Sequence, residues 1–377
     1  MKISSRGNVA PFIVMDVMES ARIEEAKGRH IIHMEVGQPA SGAPKGAVKA
    51  LSKAMAEGPL GYTVALGLPA LRARIARHYQ EWYGVHIEPE RVVVTAGSSA
   101  GFLLSFISLF EQGARVAIGD PGYPSYRNIL KSLSLAPVRL ETTAESRFQP
   151  RPEDIENIDG LLVASPANPT GTMLGREELA ALMAKCDAQG VSFISDEIYH
   201  GVGAGKPVSA LEISDNAYVI NSFSKYFSMT GWRVGWMIVP QDHVRRIERL
   251  SQNLFICASH ASQVAALAAM DCEAELKAHA DVYAKNRQVL IEGLPKAGFS
   301  KFAPPDGAFY IYADVSDLTD NSHALADEIL RDAGVAVTPG LDFDTERGHK
   351  TLRFSYARST EDMIEGVARL QRWFAAR

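Results

Sequence analysis

From about residue 91 onwards, short runs of β-branched and apolar residues alternate with helical patterns. The run at 92–95 precedes an apolar helical stretch at 99–111, which is followed by another short apolar run at 116–118. This alternation is typical of βαβ units, which build a sheet of parallel strands covered by helices. Further candidate strands read as continuous apolar runs, as strands buried on both faces do; they lie at 161–165, 191–195, 218–221 and 234–239. The chain is therefore predicted to be an α/β protein with a mainly parallel sheet.

The pattern changes after about residue 285, where strands and helices no longer alternate regularly. Candidate strands lie at 309–315, 335–338 and 351–356, and candidate helices lie at 322–333 and from about 361. A length of 377 residues suits about two domains with a cleft between them. We therefore expect a second, smaller α+β unit.

Charge and cysteine content exclude several classes of protein. The net charge is −5 with both signs mixed, so no basic surface suggests a nucleic-acid partner. The longest apolar run, 101–110, is shorter than the roughly 20 residues that a membrane-spanning helix needs. Cys186, Cys257 and Cys272 show no metal-ligand spacing and suit a reducing compartment. We expect a cytoplasmic protein with no metal site and no membrane or nucleic-acid partner.

Three consecutive strand candidates end in side chains that can carry chemistry. Asn168 follows the first strand, Asp196 and Tyr199 follow the second, and Lys225 follows the third. In open α/β sheets, ligands bind at the carboxyl ends of the strands. The sequence therefore predicts that four groups meet at one edge of the sheet: an amide, a carboxylate, a phenol and an amine.

Lys225 ends the run NSFSK and lies eight residues before Arg233. A lysine forms a Schiff base with an aldehyde only when it is neutral, and a second cation nearby favours the neutral amine. The hydroxyls of Ser222 and Ser224 and the guanidinium of Arg233 suit an anionic group on the same aldehyde. This run alone is more typical of a surface lysine, and it is the neighbouring strand ends that favour a lysine that carries a cofactor.

Short motifs occur in a fixed order along most of the chain: VGQP from Val36, GYT from Gly61, TAGSS from Thr95, PGYP from Pro121, SPANPTG from Ser165, DEIY from Asp196, SFSK from Ser222, then Arg233, PDGAFY from Pro305 and LRF from Leu352. Together they resemble the class I/II aminotransferases of fold type I, which depend on pyridoxal 5'-phosphate, and most closely the aspartate-aminotransferase-like branch. The resemblance implies a three-layer, mainly parallel cofactor-binding domain at 46–285. It also implies a smaller α+β domain built from both termini, 1–45 and 286–377.

The resemblance assigns roles around the cofactor ring. Lys225 would bind pyridoxal phosphate as a Schiff base and act as general acid and base, with Asp196 and Tyr199 as further catalytic residues. Asp196 would pair with the protonated ring nitrogen, keeping the ring an electron sink. Tyr199 and Asn168 would donate hydrogen bonds to the ring's phenolic oxygen, and Tyr123 would stack on the ring face.

The resemblance also assigns the two anionic groups. The α-carboxylate of the substrate would be bound by Arg353 with two parallel hydrogen bonds, with Gly37 and Asn168 beside it. Tyr62 would reach the phosphate of the neighbouring subunit, which implies a homodimer. The phosphate would lie at a helix N-terminus, held by Gly97, Ser98, Ser99, Ser222 and Arg233.

The implied activity is ping-pong transfer of an amino group between an amino acid and a 2-oxo acid. A C–S β-lyase of the same fold is the first alternative, because the same cofactor chemistry serves both reactions. A serine hydrolase is a remote alternative, since Ser99 lies in the G-x-S-x-G run GSSAG.

The chain departs from the family pattern at two places. Some aspartate-using relatives carry a lysine in place of Ser99, so the expectation of a preference for acidic substrates is weakened here. Residues 340–343, GLDF, depart from the small-residue turn of many relatives.

Overall fold

The computed structural model describes all 377 residues, Met1–Arg377. Its strands are β1 (Ile32–His33), β2 (Val92–Thr95), β3 (Arg115–Asp120), β4 (Ala136–Glu141), β5 (Gly160–Ala164), β6 (Ser192–Asp196), β7 (Tyr218–Ser222), β8 (Gly235–Ile238), β9 (Lys301–Phe302), β10 (Tyr310–Asp314), β11 (Val335–Ala336), β12 (Thr338–Pro339) and β13 (Thr351–Ser355). Its α-helices are α1 (Ile13–Ala26), α2 (Lys45–Glu57), α3 (Pro69–Tyr83), α4 (Gly97–Leu109), α5 (Pro124–Ser132), α6 (Arg176–Gln189), α7 (Val244–Leu254), α8 (His260–Ala269), α9 (Glu273–Gly293), α10 (Ser322–Glu328) and α11 (Thr360–Ala375).

The central sheet has seven strands in the order β2-β8-β7-β6-β5-β3-β4. Strand β8 runs antiparallel to β2 and β7, and every other neighbouring pair is parallel. The prediction of a mainly parallel sheet is therefore confirmed. Strand β4 was not predicted, because it is a partly exposed edge strand whose sequence contains Pro137 and Arg139. An edge strand tolerates such residues, so it lacks the continuous apolar run of a central strand.

Helices cover both faces of this sheet. Consecutive residues of β5 pack in different hydrophobic clusters. Leu161 packs in the cluster that contains Leu182 of α6, whereas Leu162 packs in the cluster that contains Phe106 of α4. Side chains alternate between the two faces of a strand, so α6 and α4 lie on opposite sides of the sheet. The predicted three-layer arrangement is confirmed.

The second unit contains a four-stranded antiparallel sheet, β12-β13-β10-β9, and the separate parallel pair β1-β11. The predicted strand at 335–338 is wrong as a single element, because β11 pairs with β1 whereas β12 pairs with β13. A continuous apolar run cannot show that the chain changes sheets within it. The predicted helix at 322–333 is α10 followed by a π-helical turn, Ile329–Ala333.

Both termini contribute to the second unit. Ile32 of β1 pairs in register with Val335 of β11, which joins the N-terminal segment to the C-terminal part of the chain. Helix α9 runs without a break across residue 285, where the sequence suggested a boundary. The division into 46–285 and 1–45 plus 286–377 stays a prediction.

The helices of the chain include none that combines the length and apolar character required to cross a lipid bilayer.

Candidate cofactor and substrate site

One cleft lies at the carboxyl edge of the large sheet. It receives side chains from the segments that follow successive parallel strands, as well as Arg233, which precedes the antiparallel strand β8 and so reaches the same edge. Arg353 enters from β13 of the second unit. Ten predicted site residues line this cleft: Gly37, Ser98, Ser99, Tyr123, Asn168, Asp196, Tyr199, Lys225, Arg233 and Arg353.

Lys225 lies at the centre of the cleft. Its Nζ donates a hydrogen bond to the carbonyl of Gly37 at 2.5 Å and lies 5.5 Å from the centre of the Tyr199 ring. Burial and the positive charges of Arg353 and Arg233 together lower its pKa to about 7, whereas the charge of Asp196 acts in the opposite direction. A substantial share of this amine is therefore neutral near pH 7, which makes it a competent nucleophile.

Asp196 is the last residue of β6 and is almost fully buried. Its carboxylate accepts a short hydrogen bond from the Tyr126 hydroxyl and another, of 3.1 Å, from the backbone N–H of Ile198. Burial raises the pKa of Asp196 to about 6, while these two hydrogen bonds and the charge of Lys225 lower it. The sequence analysis missed Tyr126. Its position in the first turn of α5, three residues after Tyr123, was the available signal.

Tyr310 was part of a motif but received no role, and it organises the centre of the cleft. Its hydroxyl shares a 2.7 Å hydrogen bond with that of Tyr199. The same hydroxyl oxygen lies only 1.6 Å from where a Cβ on Gly37 would stand, so no larger residue fits at position 37. Gly37 is thus required by the approach of Tyr310, and its carbonyl binds Lys225. Its expected contact with a substrate carboxylate stays a prediction.

Arg353 is buried and held on several sides. Its Nη1 donates to Oδ1 of Asn168 at 2.8 Å, and its Nη2 donates to the backbone carbonyl of Glu35. The guanidinium lies 4.4 Å from the centre of the Tyr310 ring and 4.6 Å from that of Phe343. The oxygens that accept hydrogen bonds from it belong to an amide, a backbone carbonyl and a hydroxyl, none of them a carboxylate, and its Nε has no partner. A pre-oriented guanidinium of this kind can bind a carboxylate through paired hydrogen bonds.

Arg233 lies where β2 and β8 meet. Its backbone adopts a left-handed conformation with φ of 49°, and its Nη1 donates to the carbonyl of Thr230 at 3.1 Å. A Cβ on Gly97 would stand 2.4 Å from its Nη2, so Gly97 permits the guanidinium to lie against the start of α4. No carboxylate pairs with Arg233. Together with Ser98 and Ser224, it offers several donors at a helix N-terminus, which suits a phosphate.

Three predicted cofactor residues do not line the cleft. Gly97 is buried beneath Arg233. Ser222 is buried behind Ser224: its hydroxyl donates to the carbonyl of Val234 at 3.1 Å and lies 2.9 Å from the Ser224 hydroxyl. Tyr62 is 82% exposed on the surface of the chain. The phosphate contacts expected of these residues stay predictions.

The charges in the cleft match a ligand that carries more than one anionic group. Lys225, Arg233 and Arg353 line it, and Asp196 is its only carboxylate. Pyridoxal phosphate with an amino acid brings a phosphate and an α-carboxylate to such a site. The donor set fits that pair: a low-pKa amine for the aldehyde, a buried carboxylate for the ring nitrogen and one free guanidinium for each anion.

Comparison with known proteins decides the family. The sequence profile of the family described as Aminotransferase class I and II matches residues 29–370. The chain belongs to the class I and II aminotransferase family. It is therefore a pyridoxal-phosphate-dependent aminotransferase, and the resemblance seen in its motifs is confirmed.

Several relatives of this aminotransferase are known. The valine–pyruvate aminotransferase of Mycobacterium tuberculosis is 45% identical over 381 residues, covering 99% of this chain and 98% of the relative. A crystal structure assigned as an aminotransferase from Silicibacter pomeroyi is 64% identical, with a TM-score of 0.96 and full coverage of both chains. The aspartate aminotransferase of Thermus thermophilus with maleate is 29% identical, with a TM-score of 0.92 and 99% coverage of each chain.

These relatives do not favour the two alternative activities. Their transaminase names leave the C–S β-lyase without support. The serine hydrolase is also unsupported by geometry, because no histidine contacts Ser99. A serine hydrolase needs a histidine base, and three histidines that follow Ser99 in the sequence are engaged elsewhere: His200 with Tyr83 and Ser165, His243 with Tyr218, and His260 with Gly61.

Replacing Tyr126 by Phe removes a hydrogen bond that favours the ionised form of Asp196. We expect the pKa of Asp196 to rise, so that as pH falls its carboxylate is protonated sooner and the aminotransferase releases its cofactor at a higher pH. One hydrogen bond corresponds to a shift of about half to one pH unit. Equilibrium dialysis of bound pyridoxal phosphate between pH 4 and 8 measures it.

Tyr312→Phe is the matched control, because that buried tyrosine loses a 2.6 Å hydrogen bond to Thr351 Oγ1 and does not line the cleft. Its release profile should coincide with that of the wild type. A Tyr126→Phe profile that also coincides with the wild type would contradict the contribution of Tyr126.

Proposed function

We propose that this aminotransferase moves the amino group of a neutral aliphatic amino acid, of the size of valine, to a 2-oxo acid such as pyruvate by a ping-pong mechanism. The observation that carries the proposal is the position of Lys225, a lysine of lowered pKa between the carboxylate of Asp196 and the guanidinium of Arg353. When bound, pyridoxal phosphate supplies an electron sink that stabilises negative charge at the α carbon of the substrate.

We assign the residues around the cofactor as follows. Lys225 carries it, and Asp196 keeps its ring nitrogen protonated by charge pairing. Tyr199 and Asn168 donate to the phenolic oxygen, and Tyr123 packs against the ring. The phosphate is assigned to donors at the start of α4 and around β8: Gly97, Ser98, Ser99, Ser222 and Arg233. The support is that most of these groups line one cleft, with Gly97 and Ser222 directly behind Arg233 and Ser224.

Lys225 has a second task as the proton carrier. With cofactor and substrate bound, the free Nζ of Lys225 would accept the proton from the substrate's α carbon. A pKa of about 7 suits a group that must both accept and return a proton near neutral pH. The hydrogen bond from Nζ to the Gly37 carbonyl provides a fixed position for the amine while it is free.

Arg353 and the cleft walls select the substrate. Arg353 binds the α-carboxylate, with Asn168 and Gly37 beside it. The side chain of the amino acid faces apolar groups, since Phe12, Val14 and Met15 line the same cleft. A neutral side chain is favoured because the three cleft cations already have assigned partners and position 99 is a serine. The 45% identical relative named valine–pyruvate aminotransferase supports this substrate class.

Single-turnover reactions of the cofactor-loaded enzyme with valine and with aspartate test the proposal, followed by mass spectrometry of the 2-oxo acid formed. Valine should react at least tenfold more efficiently, because an unpaired second carboxylate is costly to bury. Faster reaction with aspartate would sink the substrate class. Borohydride reduction should add a pyridoxyl group to Lys225, and its absence would refute the role of that lysine.

Arg353→Lys gives a matched variant for the same assay. It keeps the positive charge but loses the paired hydrogen bonds, so its reaction with valine should fall by about 10- to 100-fold. The pyridoxyl group on Lys225 should still form. Wild-type reactivity of Arg353→Lys would contradict its role in binding the α-carboxylate.

We propose that the enzyme is a homodimer in which Tyr62 reaches the phosphate of the partner subunit. The support is that Tyr62 is 82% exposed and lies outside the cleft of its own chain. Lys225→Ala and Tyr62→Ala chains mixed and refolded together should recover one intact site per heterodimer. If Tyr62 served its own subunit, the mixture would stay as inactive as the separate variants.

We propose a cytoplasmic location for this enzyme. Cys186, Cys257 and Cys272 are all free thiols, which suits a reducing compartment. Cell fractionation followed by immunoblotting should find the protein with cytoplasmic markers, and its recovery with exported proteins would contradict the proposal.

A further inference from the structure

The first turn of α1 forms one wall of the cleft and packs with its buried Val14 against the second unit. Phe12, Val14 and Met15 line the cleft. Every residue from 1 to 11 is exposed, and Val14 and Ala21 are the only buried residues of α1. The chain upstream therefore cannot fix where this wall stands.

A carboxylate from the far end of the sequence caps this turn. Asp342 is 1% exposed and accepts hydrogen bonds from the backbone N–H groups of Ile13 at 2.9 Å and Val14 at 3.4 Å. The first N–H groups of a helix have no partner within the helix and are usually satisfied by the residue before it. That residue is Phe12, whose side chain cannot accept a hydrogen bond. Asp342 therefore replaces the missing local cap.

The loop that carries Asp342 is itself tied to the large sheet unit. Arg127 on α5 donates to the carbonyl of Asp342 at 2.8 Å, and the N–H of Gly122 donates to the carbonyl of Phe343 at 3.1 Å. The ring of Phe343 lies 4.6 Å from the Arg353 guanidinium. One loop thus positions both the wall at α1 and the arginine assigned to the α-carboxylate.

The other hydrogen bond and the aromatic contact near this turn are weaker. The Phe12 ring meets the Tyr123 ring edge to face, with 5.9 Å between centres, and Asn128 Nδ2 donates to the carbonyl of Ala10 at 3.4 Å. A carboxylate aligned with the positive end of the α1 dipole is the stronger anchor.

We infer that Asp342 is a specificity-determining positioning residue: by fixing the first turn of α1, it sets how closely Phe12 and Met15 approach the side chain of the substrate. This inference rests on the proposed function, because it takes the ligand to be a neutral amino acid. Valine reaches that wall, whereas alanine, which lacks the branched end, does not depend on it. Asp342 therefore favours valine over alanine without touching either.

The test uses the cofactor-loaded enzyme and its Asp342→Ala and Asp342→Asn variants. The apparent second-order rate constants of the single-turnover reaction are measured with valine and with alanine. Loss of a helix cap corresponds to about a fivefold change in an equilibrium. We expect the valine-to-alanine ratio to fall by about fivefold in Asp342→Ala, and by less in Asp342→Asn, which keeps one acceptor for Ile13. Asp342→Asn also secures the comparison if the alanine variant folds poorly.

Asp16→Ala is the matched control. Asp16 also lies in the first turn of α1, but it is exposed, makes no hydrogen bond with the turn and does not line the cleft. The Asp16→Ala variant removes a negative charge from the same helix end but leaves the cap in place. Its ratio of reactivity with valine to reactivity with alanine should therefore equal that of the wild type. An equal loss of activity toward both substrates in Asp342→Ala would indicate a purely structural role and overturn the inference, as would an unchanged ratio.

Amide hydrogen exchange tests the anchor without any substrate. The N–H groups of Ile13 and Val14 should exchange faster in Asp342→Ala than in the wild type or Asp16→Ala, because their acceptor is gone. Wild-type exchange rates at these amides would overturn the inference by themselves. A wild-type enzyme that reacts with neither amino acid would instead contradict the proposed function, and the exchange rates would still decide whether Asp342 holds the turn.

Discussion

The cleft depends on an excess of positive charge that the protein leaves unpaired. Lys225, Arg233 and Arg353 line the cleft with a single carboxylate, Asp196, and both guanidinium groups donate to neutral oxygens instead of carboxylates. Arg353 is 3% exposed, and a buried charge without an ion-pair partner is unfavourable, so the rest of the structure must hold it in place. The same proximity keeps the pKa of Lys225 near 7, because burial and two neighbouring cations disfavour the ammonium form. Anion binding and amine reactivity therefore have one electrostatic origin.

Both units are needed to maintain this arrangement. The large sheet brings Asp196 and Lys225 to one edge, since parallel strands end together. The second unit supplies Arg353 and Tyr310 from the paired strands β13 and β10. The Tyr310 hydroxyl contacts Tyr199 and excludes any side chain at Gly37. A shift of one unit relative to the other would thus displace the assigned carboxylate site and the lysine anchor at once.

Much of the cofactor side was predictable from the sequence, because each residue follows a strand that an apolar run reveals. Asn168, Asp196 and Lys225 come directly after buried strands, and the structure brings them together as expected. Tyr126 and Tyr310 received no role, because a buried tyrosine in a helix or strand is most often a packing residue. What distinguishes them is the atom that each hydroxyl contacts. Tyr126 contacts Asp196, 70 residues away, and Tyr310 contacts Tyr199, 111 residues away.

Local patterns in the chain were enough to predict the α/β class and the family and to propose Lys225 as the lysine for the cofactor, since strand periodicity and short motifs are properties of neighbouring residues. Long-range contacts decided the rest. The split between β11 and β12, the hydroxyl that requires Gly37, and the capping of α1 by Asp342 across 329 residues all depend on which segments meet after folding. No local pattern records such meetings, because they are set by the packing of whole elements rather than by the residues beside them.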